Sequence, residues 1–223
     1  MEIINAIKNN PLFQGLSEEK IRRLASRALY KKYQAGEMVI GEEDPIQSFY
    51  VVISGQLKLY RSSAEGKEQT IQLLGPGDPF GLCTAFATDS FPASAMAITE
   101  SAVLLIPGID MEETARQEPT LLFNIIQILS KRLKDSMELI ESLALKEIPQ
   151  RLATFLLHEA RQKKNDVIGL SISQRELSKI LGATPEALSR ALRKMANEGI
   201  LSTSGRTITI LDHEALEQLA EGD

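Results

Sequence analysis

The spacing of hydrophobic positions changes twice along the chain, and each change predicts a different kind of structure. Residues 17–27, opening Ser17-Glu18-Glu19-Lys20, predict a short helix with Ser17 as N-cap and glutamates in its first turn. From about residue 29 to 109 the apolar positions come in short runs: 37–40, 49–53, 57–61, 70–74, 95–99 and 102–106. Turn residues separate them: Ala35-Gly36, Asp44-Pro45, Ser54-Gly55, Glu65-Gly66, Gly75-Pro76-Gly77-Asp78 and Pro107-Gly108. Many short strands punctuated this regularly predict an all-β barrel or sandwich. Within them Gln56-Leu57-Lys58-Leu59-Tyr60-Arg61 alternates polar and apolar, the pattern of a half-buried strand.

At Glu118-Pro119-Thr120 the spacing becomes helical and stays so to about Leu145, a length of roughly 40 Å at about 1.5 Å per residue. Leu122, Ile126, Leu129, Leu133, Met137 and Ile140 form one stripe; Leu121, Ile125 and Ile128 form a second beside it. One stripe can cover the β-domain while the other meets a partner helix, which predicts a homodimer. The alternative is a long helix packed wholly within its own domain. Proline disfavours helical angles in the residue before it, so Pro149 makes 146–148 a predicted hinge, with a new amphipathic helix over 150–162.

Residues 173–198 carry the sharpest signal. Ser173-Gln174-Arg175-Glu176 reads as a capping box, and the helix it starts ends at Leu181-Gly182-Ala183. Thr184 then caps a second helix with Pro185 at its first position. Two short helices joined by a glycine-containing turn predict a helix-turn-helix. In the second helix Leu188, Ala191, Leu192 and Met195 fall on one face; Glu186, Ser189, Arg190 and Arg193 fall on the other. Those polar types match base edges in double-stranded DNA: Arg to guanine O6 and N7, Glu to cytosine N4, Ser to either. After Gly199, residues 200–202 and 207–210 predict a two-stranded wing with Arg206 at its tip, placed for a phosphate. The DNA-facing set is therefore Ser173, Gln174, Thr184, Glu186, Ser189, Arg190, Arg193 and Arg206.

Charge permits this. The chain's net charge is −5, yet residues 150–206 hold 10 basic against 5 acidic residues, and the last 17 residues hold 5 acidic and no basic ones. Local charge sets phosphate attraction, because screening cuts in beyond roughly 8–10 Å. No apolar run approaches the roughly 20 residues of a membrane span, and the N-terminus lacks the pattern of a signal peptide, so the expectation is a cytoplasmic protein with no membrane partner. A lone cysteine, Cys83, rules out an internal disulfide framework and any four-cysteine cluster from one chain. The two histidines, His158 and His213, read as surface or packing residues, and no metal site is predicted.

Taken together these segments resemble the family of the cAMP receptor protein and the fumarate–nitrate regulator, over nearly the whole chain. The resemblance is carried by Leu12-Phe13-Gln14-Gly15-Leu16-Ser17, Phe49-Tyr50-Val51-Val52-Ile53-Ser54-Gly55, Glu65-Gly66-Lys67-Glu68 and Gly75-Pro76-Gly77-Asp78-Pro79-Phe80-Gly81. It implies an α+β chain in three parts. Residues 1–117 would form a jelly-roll-type sensor resembling cyclic-nucleotide-binding domains, 118–147 a dimerisation helix and hinge, and 148–223 a winged helix-turn-helix. The Glu-x-x-Ser-Arg of Glu186, Ser189 and Arg190 is similar to the fumarate–nitrate branch and implies TTGAT-like half-sites in an inverted repeat, with RNA polymerase as a partner.

The sensor departs from the family pattern. Where cyclic-nucleotide binders carry Gly-Glu-Leu/Ala and Arg-Ser/Thr-Ala, this chain has Gly81-Leu82-Cys83 and Ala93-Ser94-Ala95. Both the acid and the cation are missing, which argues against cAMP. With one cysteine, the iron–sulfur cluster of the oxygen-sensing branch is excluded. The chain is most similar to the nitrogen-oxide-responsive subgroup, with Ser142-Leu143-Ala144-Leu145-Lys146-Glu147 among the shared segments. This implies a small-molecule or gas effector at a pocket around Gly81, Leu82, Cys83, Thr84, Ser94 and Ala95, with Cys83 a candidate haem ligand against the alternative of a buried apolar cysteine. A constitutive DNA-binding dimer remains a competing reading. An enzyme or small-molecule carrier is another, but no catalytic motif supports one.

Overall fold

In the computed structural model, the described residues are 2–42, 44, 48–82 and 91–222. They pack as two compact units, Met1–Asp135 and Ser136–Asp223, with the division inside the long helix.

The first unit is a β-sandwich with a helical cover. Its strands are β1 (Leu29–Tyr33), β2 (Met38–Ile40), β3 (Ser48–Ser54), β4 (Leu57–Ser62), β5 (Glu68–Leu74), β6 (Pro79–Phe80), β7 (Ser94–Ala97) and β8 (Ser101–Pro107). They form two four-stranded antiparallel sheets, ordered β1-β8-β3-β6 and β2-β7-β4-β5, the exchange of strands that defines a jelly roll. The side-chain period of two explains the unbroken apolar runs in β3 and β8. Phe49 and Val51, with Leu104 and Ile106, face one cluster, while Tyr50 and Val52, with Val103 and Leu105, face the other. The first cluster lies under helices α1 (Glu2–Lys8), α2 (Glu18–Arg27), α3 (Gly108–Gln117) and the start of α4 (Pro119–Leu145). The second fills the space between the sheets, where the Tyr50 and Phe80 rings stack at 4.7 Å.

One expectation needs correction here. β4 is not half-buried: Leu57, Lys58, Leu59 and Tyr60 are all buried, because β4 runs between β7 and β5. Lys58 is 3 % exposed and tolerates this by pairing with Glu68 at 3.0 Å and lying 4.8 Å over the Tyr60 ring. An unpaired ammonium there would cost several kcal/mol. Between Pro107 and the long helix lies a further helix, α3, which the sequence pattern did not mark. Its buried face includes Asp110 and Thr114, so no apolar stripe marked it. Asp110 accepts from Arg27 Nε at 3.3 Å, and the Thr114 hydroxyl donates to the Asp110 carbonyl.

The turn between β3 and β4 depends on Gly55, whose φ is +81°. A Cβ at this position would overlap the Glu100 carbonyl and Ser101. Gly55→Ala is expected to destabilise the first unit by about 2–3 kcal/mol, read by chemical denaturation. An unchanged midpoint would show that this crowding is absent in solution.

The second unit holds the end of α4, then α5 (Ile148–Lys163), β9 (Val167–Gly169), α6 (Gln174–Ile180), α7 (Pro185–Asn197), β10 (Leu201–Ser204), β11 (Thr207–Ile210) and α8 (His213–Glu221). The long helix α4 buries Leu121 and Ile125, with Ile128 partly buried on the same core. Asn124 fastens it by donating to the carbonyls of Leu12 and Gln14. Its other stripe is bare. Leu122, Ile126, Leu129, Leu133, Met137 and Ile140 are 41–66 % exposed, and Phe123 is 67 % exposed.

The residue before Pro149 is helical rather than extended: α5 starts at Ile148 with Pro149 in its first turn, where a missing N–H costs nothing. The connection is two residues, Lys146 and Glu147. Glu147 and Gln150 form a reciprocal capping box there, with the Glu147 N–H donating to Gln150 Oε1 at 2.6 Å. The wing is three-stranded, not two-stranded. β9 pairs with β11, placing Ile168 opposite Ile208. At three residues, with Val167 48 % exposed, β9 is too short to show a period.

Candidate nucleic-acid interface

The helix-turn-helix is built by its caps. Ser173 Oγ accepts from the Glu176 N–H at 3.1 Å, and the Glu176 carboxylate also takes the Lys179 ammonium at 3.0 Å. After α6, Gly182 takes a φ of +61°, and the Ala183 N–H returns to the Ser178 carbonyl. Thr184 Oγ1 accepts from the Ala187 N–H, and Pro185 opens α7. Leu188, Ala191, Leu192 and Met195 are the buried residues of α7, and α7 packs against α5.

The opposite face is open. Glu186, Arg190, Arg193 and Lys194 are exposed and Ser189 is half-buried. Arg190, Arg193, Lys194, Asn197 and Glu198 line a shallow cleft of about 410 Å³ along the helix. The Glu186 carboxylate is held below its usual 4.5: its own backbone N–H bonds to it, the Thr184 hydroxyl donates to it, and Arg190 adds positive charge. Folding therefore favours the ionised form. That contribution is complete above about 4.5 and is lost as pH falls through the lower folded value. At neutral pH the helix presents a carboxylate acceptor one turn before a guanidinium donor.

Gln174 is exposed at the start of α6, and Ser173 is half-buried with its hydroxyl committed to the cap. Thr184 is exposed while capping α7. Arg206 is exposed in the turn between β10 and β11, its carbonyl accepting from the Leu170 N–H. The sequence reading missed Lys194, which stands one helical turn after Arg190 and extends the cationic edge. Its i+4 spacing from Arg190 was available in the sequence; in the structure it also pairs with Glu198 at 3.9 Å.

The proposed effector residues are placed differently. Leu82 is buried in the cluster under the helices, whereas Ala95 is buried in the cluster between the sheets. Ser94 Oγ accepts from the Glu42 N–H, and Gly81, with φ +83°, sits against Tyr50. Burial pushes the Tyr50 phenol up to about 12, with Tyr33 and Asp44 adding to the shift, so it stays neutral. Cys83 and Thr84 lie outside the described residues. His213 bonds Asp166 at 2.7 Å and His158 meets Gln162, both in the second unit. Among the described residues no His, Cys, Asp or Glu cluster could hold a metal ion, and no helix is long and apolar enough to cross a membrane.

Residues 30–118 match the cyclic nucleotide-binding domain family, and 150–219 match the Crp-like helix-turn-helix domain family. Over 216 residues the chain is 30 % identical to the cyclic AMP receptor protein of Thermus thermophilus, covering 97 % of this chain and 99 % of that one. The chain belongs to the CRP/FNR family of transcriptional regulators. It is likewise 30 % identical, over 84 % of its length and 78 % of the relative's, to the transcriptional activator protein anr of Pseudomonas aeruginosa. Among solved structures, FixK2 from Bradyrhizobium japonicum superimposes with a TM-score of 0.76 at 28 % identity, over 86 % of this chain and 96 % of that one. As a CRP/FNR member the chain is a DNA-binding regulator rather than an enzyme. Its order of β-sandwich, long helix and helix-turn-helix is the family's.

Proposed function

We propose that this regulator works in the cytoplasm as a homodimer on an inverted repeat with TTGAT-like half-sites. Residues 1–117 serve as sensor, 118–147 as dimerisation helix and hinge, and 148–223 as reader. The observation that carries this is the exposed edge of α7, where an ionised Glu186 precedes Ser189 and Arg190 above a shelf of cations. Arg190 donates to guanine, Glu186 accepts from cytosine, and Ser189 adapts. Arg193 and Arg206 hold phosphates, with Gln174 and the capped helix starts at Ser173 and Thr184 beside them. RNA polymerase is the expected downstream partner.

The effector is a small molecule or gas other than cAMP. The Thermus relative is named for cyclic AMP, but the residues of this chain do not fit a cyclic phosphate. Leu82 is 3 % exposed and Ala93 5 % exposed, both within apolar packing, where the family pattern has an acid and a cation. An anion there would lose its charged partners. The nitric-oxide reading rests on the subgroup resemblance, with Cys83 as the candidate haem ligand, and the effector gates the dimer's DNA binding.

Selection of random duplexes by the full-length protein tests the reading. Recovery of a TTGAT-type palindrome, bound roughly 10³-fold or more above bulk DNA, is the expected result. Sequences without two-fold symmetry, or no enrichment, would overturn it.

A further inference from the structure

One side chain that the recognition chemistry leaves unused ties the elbow between α4 and α5 to the end of α6. Arg151, in the first turns of α5, donates from Nη2 to the Leu143 carbonyl at 2.9 Å and from Nε to the Lys146 carbonyl at 2.9 Å. Its Nη1 donates to the Leu181 carbonyl at 3.0 Å. The first acceptor is in the last turn of α4 and the second is Lys146 just beyond it, carbonyls with no partner further along that helix. The third is the C-cap of α6, one residue before the glycine of the turn into α7. One planar cation therefore sits at two helix C-termini, where the helix dipoles favour positive charge, and ties both to α5.

The rest of the elbow is equally fastened. Glu147 and Gln150 cap each other, and Lys146 Nζ donates to Thr154 Oγ1 at 3.1 Å. The joint is fastened on both sides by contacts that a hinge motion would have to break. We propose that Arg151 is a positioning residue that sets the orientation of the helix-turn-helix relative to the end of the dimer helix. In a dimer this sets the separation and phase of the two recognition helices, and so selects the spacing between half-sites. The inference rests on the palindrome-binding homodimer proposed above. A lysine cannot replace Arg151, because a compact ammonium has no fixed fork to reach three carbonyls in three directions.

The test uses full-length wild type, Arg151→Ala and Arg151→Lys, at low ionic strength. The duplexes are the selected palindrome, versions with one base pair added to or removed from its centre, and a single half-site. One base pair shifts a half-site by about 3.4 Å and turns it by about a tenth of a helical turn. Wild type should prefer its own spacing by about tenfold or more. Both variants should reduce that preference to less than about threefold, while sedimenting as dimers and binding the half-site as wild type does. Should Arg151→Ala not fold, Arg151→Lys carries the comparison. A variant that keeps the spacing preference overturns the inference. So does one that loses half-site and palindrome binding in the same proportion, since that is simple loss of structure. A wild type indifferent to spacing and symmetry would instead overturn the homodimer reading itself.

Discussion

Arg190→Ala is expected to remove the preference for a TTGAT-type palindrome while leaving most of the salt-sensitive binding to random DNA. Arg190 is exposed at the middle of α7, one turn from Glu186, and none of the buried residues of α7 depends on it. Losing a bidentate contact to guanine costs roughly 1–3 kcal/mol of discrimination at each half-site. With two half-sites, specific affinity should fall by about 10²–10⁴, read by fluorescence titration against cognate and scrambled duplexes. Lys194→Ala provides the contrast. Loss of a phosphate contact weakens all sequences alike and flattens the salt dependence by about one unit of slope. If Arg190→Ala binds cognate and scrambled DNA in the wild-type ratio, Arg190 does not read bases, and the α7 edge must be assigned another partner.

The recognition helix could be read in advance because each of its signals is local. A threonine cap, a proline at the first position and one apolar face lie within residues 184–198, and no distant contact is needed to interpret them. The central strands were legible for a related reason: β3 and β8 are covered on both faces, so almost every position is apolar. What escaped depended on partners far away in sequence. Lys58 could be recognised as buried only once Glu68 and Tyr60 were known to surround it. The buried face of α3 contains Asp110 because Arg27, on α2, stands opposite. Arg151 looked like one more polar position on an amphipathic helix. Its three acceptors are backbone carbonyls, and a carbonyl leaves no mark on residue identity. The candidate effector positions were chosen by resemblance, and packing sends Leu82 and Ala95 to different clusters. Leu82 lies beyond the end of β6 and Ala95 lies within β7 of the other sheet, so the split is set by packing between segments distant in sequence.

Leu129→Asp is expected to convert a dimer into monomers. On α4 the exposed apolar residues Leu122, Ile126, Leu129, Leu133, Met137 and Ile140 are spaced 4, 3, 4, 4 and 3 apart, which keeps them in one line along the helix. The neighbouring stripe is already used: Leu121 and Ile125 are 0 % and 5 % exposed in the first unit's core. The bare line is thus left over after the chain's own packing is satisfied, and six large apolar groups in a row exceed what scattered surface residues explain. Pairing with the same line on a second copy removes all of them from water at once. An aspartate at 129 would place two carboxylates in the middle of that seam, each desolvated and facing the other. The cost is several kcal/mol, enough to raise the dimer dissociation constant by more than about 10³. Because Leu129 is 42 % exposed in the single chain, the monomer should still fold. Its thermal transition then separates loss of pairing from loss of structure. Sedimentation equilibrium gives the decision: a persistent dimer would mean that the copies meet elsewhere, and that this line of side chains has another occupant.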